Sequence, residues 1–136
     1  MPYQNHWEDR GVVTQYAGRT SDDDIEQAVR DAQGDARFDR LKWGLHDFLG
    51  CEGFTFSAHR MTEIAAIDRV ATRSAAARAF AIAVVTDRPE VRAAVQAYTA
   101  SGFNVHEVCI FASVDAARDW LSERFRPSSA PRAPSS

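Results

Sequence analysis

AFAIAVVTDRPEVRAAVQAYTASG, residues 79–102, changes its period halfway. Residues 79 to 85 are all apolar and are bounded by Arg78 and Thr86. A short apolar run without alternation predicts a strand covered on both faces, at the centre of a sheet. Beyond it, Val91, Ala94, Val95 and Tyr98 fall at i, i+3, i+4 and i+7, one stripe of a helix. Asp87 stands where an N-cap is wanted, with Glu90 three positions later as its reciprocal partner. Gly102 supplies a stop. A covered strand feeding directly into an amphipathic helix is half of a parallel crossover unit.

The same alternation extends in both directions. FNVHEVCIFAS, 103–113, predicts another strand, and Ser113 or Asp115 opens a last helix with Ala117, Trp120 and Leu121 inward. Upstream, Leu41 to Phe48 predicts a strand with Leu41, Trp43 and Leu45 on one face and Lys42, Gly44, His46 and Phe48 on the other. The two glycines of GCEG, 50–53, fit a sharp exit from it. A long helix follows Phe56, capped by Ser57, with Met61, Ile64, Ala65, Ile67 and Ala71 as its apolar stripe and alanines at 75–77 as an extension. An earlier helix is capped by Thr20 or Ser21 and carries Ile25, Ala28, Val29 and Ala32 as its stripe, with Gly34 as its stop. The chain opens on a hairpin: strands at 3–7 and 12–18, and a turn at 8–11 in which Gly11 takes a positive φ. The order predicts a single small α/β domain over 1–125, with a mixed, mostly parallel sheet and an antiparallel edge strand. RPSSAPRAPSS, 126–136, holds three of the five prolines and predicts a disordered tail.

The bulk properties exclude several classes. A chain of 136 residues with 45% hydrophobic and 26% charged residues can bury one core. The net charge is −3 and no basic block is present, so nucleic acid is not an expected partner. No apolar run reaches the length of a membrane span, and MPYQNHWEDRG lacks the pattern of an export signal, so the expected location is the cytoplasm. Cys51 and Cys109 form no CxxC pair and read as free thiols. Asp22, Asp23 and Asp24 lie in a first helical turn, where carboxylates meet free amides and the positive end of the dipole; consecutive positions there point in different directions, which disfavours a metal site. H-E-x-x-H, G-x-G-x-x-G and the P-loop lysine are all absent, and no cofactor or metal is implied.

The stretch LKWGLHDFLGCEGFTF, 41–56, concentrates the remaining chemistry. His46 and Asp47 are adjacent on a strand and so face opposite ways, which weakens any dyad made of those two alone. The histidines are His6, His46, His59 and His106, and no G-x-S-x-G elbow accompanies them. The catalytic reading is a small hydrolase or transferase using His46 with Ser57 or Cys51, and a polar cleft joining them would favour it. The binding reading rests on Phe48, Phe54, Phe56 and Met61, which gather around one loop and helix start at the carboxyl ends of the strands. An exposed patch of Phe54, Phe56 and Met61 would favour it.

DARFDRLKWGLHDFLGCEGFTF, RAFAIAVVTDRPEVRAAVQAYTASG and HEVCIFASVDAARDWL, in that order and spacing, resemble the bacterial SpoIIAA-like proteins, related to STAS and SEC14-type domains. The F-x-S-x-x-x-A-x-x-W-L pattern of Phe111 to Leu121 is the most characteristic piece, and the resemblance covers about residues 3–125. It implies a four- or five-stranded mixed sheet with helices mainly on one face. In the wider family, anti-sigma-factor antagonists carry a phosphorylatable serine in an Asp-Ser-Ser-Gly motif at a helix start. Ser57, in EGFTFSAHR, matches that position without the motif, and is the phosphorylation candidate. The SEC14-type relation implies a small hydrophobic ligand. The resulting expectation is a non-enzymatic cytoplasmic binding or regulatory domain. Its occupant or partner is a small apolar ligand, another protein or a second copy of the chain, met through His46, Phe54, Phe56, Ser57 and Met61.

Overall fold

The computed structural model describes residues 2–71, 80–104 and 106–125. The tail at 126–136, Ala79 and the alanines at 75–77 lie outside the described residues. The chain runs β1 (Tyr3–Trp7), β2 (Gly11–Ser21), α1 (Asp22–Gln33), a 3-10 turn (Ala36–Arg40), β3 (Trp43–Thr55), α2 (Ala58–Ala71), β4 (Ala81–Val85), α3 (Pro89–Thr99), β5 (Glu107–Phe111) and α4 (Val114–Arg124). The strands form one sheet in the order β1-β2-β3-β4-β5. β1 is antiparallel to β2, and every later pair is parallel.

That order explains where the helices lie. Each parallel crossover moves one place along the sheet in the same direction. The right-handed rule for such crossovers then puts every connecting helix on the same face. Accordingly Ile25 and Ala28 of α1, Met61, Ile64 and Ala65 of α2, and Val91, Ala94 and Tyr98 of α3 share one core with Tyr16, Phe48, Ile82 and Val84. α4 follows the last strand and connects to nothing further, so the rule does not bind it. Its Ala117 and Leu121 close the opposite face over Val13, Leu45, Ala81, Ala83 and Val85. β4 is buried at all five positions, as its unbroken apolar run predicts, with branched residues toward three helices and mainly alanines toward α4.

Several local expectations are corrected. β3 does not end at Phe48; it runs through GCEG to Thr55, paired with an equally extended β2. Between the pairs Gln15–Asp47 and Ala17–Gly50, β3 advances three residues for two of β2, and between Gly18–Cys51 and Arg19–Gly53 it advances two for one. Each extra residue bulges β3 and flips its face. Phe48, Cys51 and Phe54 therefore all face the three-helix core at a spacing of three. A Cβ on Gly50 would sit 2.8 Å from the Tyr16 carbonyl oxygen, so this glycine permits a close approach inside the sheet, not an exit from it.

Gly11 has no positive φ; instead the Trp43 ring covers it so closely that a Cβ would lie 2.0 Å from a ring atom. Leu41 precedes β3 and packs with the three-helix core, away from Leu45. Asp87 does not cap α3: Arg88 holds the cap position, Pro89 opens the helix, and the buried Thr86 hydroxyl accepts the Arg88 N–H at 3.0 Å. Ser113 does cap α4, accepting from Ala116 N–H at 3.1 Å.

Candidate functional site

Between the sheet and helices α1–α3 lies a cavity of about 50 Å³. Its walls are mainly apolar, among them Ile25, Phe48, Phe54, Met61, Ile82 and Val91. A second cavity, of about 40 Å³, adjoins it toward Val12, Thr14, Phe38 and Gly44. Val29, His46, Asp68 and Ile82 line both. His46 and Asp68 are thus the polar groups common to both cavities, and Thr14, Gln33 and His106 add polar side chains to the second.

His46 reaches this place through the sheet register. Thr14 of β2 pairs with His46 of β3, and Tyr16, two residues further along β2, projects from the same face. The Tyr16 hydroxyl lies 2.9 Å from His46 Nδ1. The Tyr16 ring stacks on Phe48 with centroids 4.3 Å apart. Surrounding protein withholds water from the imidazole and pushes its pKa down to about 4, so it is neutral at pH 7. Burial raises the Tyr16 phenol well above its ordinary range, which keeps it protonated.

Asp68 arrives from α2. Met61, Ile64 and Ala65 form the buried stripe, and Asp68 stands seven residues after Met61, on the same side of the helix. Its two oxygens accept from Tyr98 of α3 at 2.6 Å and from Gln33 of α1 at 3.1 Å. One carboxyl therefore ties three helices together. Burial raises its pKa to about 6, against the opposing effect of the Tyr98 hydrogen bond.

Of the residues singled out from sequence for chemistry or binding, the cavity brings together His46, Phe48, Phe54 and Met61. Phe54 and Met61 are buried, so the exposed patch with Phe56 that would favour a surface contact does not form. Phe56 packs on the outside of Phe54, with ring centroids 6.2 Å apart. Ser57 lies at the start of α2, where its hydroxyl accepts the Arg60 N–H at 3.1 Å and its own N–H donates to the Asp22 carboxylate at 2.8 Å. Cys51 is buried beside Thr20 and the Gly53 carbonyl. His46 is bonded to Tyr16, and among the described residues no hydrogen bond joins it to Ser57 or Cys51. The acidic run divides as its helical positions require: Asp22 holds Ser57, Asp23 pairs with Arg60 at 2.8 Å, and Asp24 accepts the Ser21 N–H at 3.0 Å. Among the described residues no three histidines, cysteines or carboxylates could hold a metal ion together. Sequence reading missed Asp68, Tyr16, Tyr98 and Gln33. Asp68 did carry a signal, a carboxylate at the i+7 position of an apolar stripe.

No family model matches the chain, and no curated protein matches it. Solved structures do. The anti-sigma factor antagonist SpoIIAA in its unphosphorylated form aligns over 88% of this chain and 96% of its own, with a TM-score of 0.53 at 13% identity. An uncharacterised Shewanella loihica protein with a SpoIIAA-like fold aligns over 88% of this chain and 91% of its own, with a TM-score of 0.50 at 14% identity. At these identities the likeness establishes the fold: a mixed, mostly parallel sheet with helices mainly on one face.

Proposed function

We propose that this chain is a non-enzymatic, SpoIIAA-like binding or regulatory domain that takes a small, largely apolar ligand into the cavity beneath α1–α3. The carrying observation is the pair of adjoining, largely apolar cavities that share two polar groups, His46 and Asp68. Binding sites are typically apolar hollows with a few placed polar groups. The cavities are small beside the ~150 Å³ that holds benzene, so the ligand is compact or draws the two together. A catalytic reading finds less support, since His46 is a weak base held by Tyr16 and is bonded to neither Ser57 nor Cys51. A protein partner or second copy finds less support too: the large exposed hydrophobics among the described residues, Leu49, Val70 and Phe103, lie on separate elements and the reading needs a contiguous patch. The two free cysteines agree with a cytoplasmic setting.

Native mass spectrometry of gently purified protein, set against its denatured mass, tests the proposal together with a titration of small apolar molecules followed by NMR of the Ile25, Ile64 and Ile82 methyl groups. A noncovalent mass lost on denaturation, or saturable shifts confined to those methyls, is the expected result. The absence of both a retained mass and any methyl shift at millimolar concentration would refute it.

A further inference from the structure

The hydrogen-bond arrangement of His46 fixes what its second ring nitrogen offers. The Tyr16 side chain is 1% exposed, and its hydroxyl meets His46 Nδ1 alone among the described residues. A buried hydroxyl proton left without an acceptor is costly, so Tyr16 donates and Nδ1 accepts. A neutral imidazole carries one proton, which must then sit on Nε2. Nε2 has no hydrogen-bond partner among the described residues and is not among the sealed, unsatisfied atoms of the interior, and the ring that carries it lines both cavities. The ring is held in place by the Tyr16 bond and by the Tyr16–Phe48 stack. His46 therefore offers these cavities an oriented N–H donor that has no acceptor among the described residues.

The charge around that donor selects among ligands. Asp68 lines the same two cavities, and among the described residues neither is lined by a lysine or arginine. An anionic head group would meet a carboxyl there without a cation to hold it. A pure hydrocarbon would leave the N–H desolvated and unmade. A neutral oxygen acceptor on a compact apolar body satisfies both conditions.

We propose that the cavity selects a neutral, compact apolar molecule bearing a carbonyl-type oxygen, and that His46 Nε2–H is the donor that recognises it. This rests on the ligand-binding reading above and adds the chemical class of the ligand and the residue that reads it.

The test uses three probes of similar size on the full chain: cyclopentanone, methylcyclopentane and isobutyrate, titrated by methyl NMR. A long-range 1H–15N spectrum of the His46 ring accompanies them. The expected spectrum has the protonated nitrogen at Nε2, shifting when cyclopentanone binds. Replacing His46→Phe should cost cyclopentanone about five- to tenfold more affinity than methylcyclopentane, the loss of one hydrogen bond. Isobutyrate should bind most weakly. An unchanged ratio between ketone and hydrocarbon in His46→Phe, a proton on Nδ1, or tightest binding of isobutyrate would each overturn this inference while leaving a ligand-binding cavity. Failure of all three probes would overturn it along with the reading beneath it. If His46→Phe does not fold, Tyr16→Phe replaces it. That variant keeps the ring stack but frees Nδ1, so the spectrum should show both tautomers and the ketone preference should fall; an unchanged tautomer and preference would overturn the proposal.

Discussion

Asp68 should make this fold less stable at neutral pH than in mild acid, and Asp68→Asn should remove the effect. The folded protein holds the carboxyl at about 6, against 3.8 for the free side chain. Well below pH 4 the group keeps its proton in both folded and unfolded chains and contributes nothing to the pH dependence. As pH rises through the interval, the unfolded chain ionises first, and the folded state loses ground until the folded group has ionised as well, above pH 6. Raising the pKa over that span disfavours the charged form by about 3 kcal/mol. At pH 4.5 the unfolded carboxyl is already mostly ionised, so the interval from there to pH 7.5 reads about 1–2 kcal/mol of this. The asparagine side chain can still accept from Tyr98, and Gln33 can turn its amide to meet the new NH₂. Urea unfolding of both proteins at pH 4.5 and 7.5 isolates the group, because His46, His106 and the surface carboxylates titrate in both proteins and cancel in the difference. Whatever constant offset the amide introduces, the variant's advantage should grow by about 1–2 kcal/mol between the two pH values, a relative midpoint shift of about 1 M. An advantage that is flat with pH, or that shrinks as pH rises, would refute the placement of Asp68 in the interior.

The bulges of β3 make a second expectation. Gly50→Ala should cost about 2 kcal/mol, because the new Cβ meets the Tyr16 carbonyl and backbone cannot easily yield. Gly53→Ala, whose Cβ would meet only Arg19 Nη1 at 3.9 Å, should stay within about 0.5 kcal/mol of wild type; equal effects of the two in thermal or urea unfolding would contradict the register. Ser57→Ala should lower stability by about 1 kcal/mol through loss of the cap on α2, and should leave probe binding in the cavity unchanged. A binding defect without a stability defect would instead place Ser57 in a functional site.

What could be read from the chain, and what could not, follows from the range of the interactions involved. β4 was legible because burial on both faces removes every polar residue from a short run, and α4 because Ser113, Ala117 and Leu121 carry both its cap and its stripe. These signals are local. The course of β3 was not legible: its bulges exist only relative to β2, so the face of Phe54 depends on a register with residues more than thirty positions earlier. The spacing of Phe48, Cys51 and Phe54 does break strand alternation, but without the partner strand it resembles a turn. The same limit hides the Tyr16–His46 bond, whose members are thirty residues apart and meet only through the Thr14–His46 pairing. Asp68 is different. It lies on a local stripe, yet a stripe is drawn by collecting apolar residues, and that procedure assigns every carboxylate to the solvent face. Its helical phase says otherwise, as do the Tyr98 and Gln33 side chains that satisfy it inside. Burying a carboxyl in that position costs stability, and a hydrophobic residue would pack there without the cost. A fold that keeps the carboxyl beside an oriented imidazole N–H, in adjoining hollows, has a polar interior that stability alone does not require. That combination, more than the fold it shares with SpoIIAA, directs the search for function to the inside of the molecule.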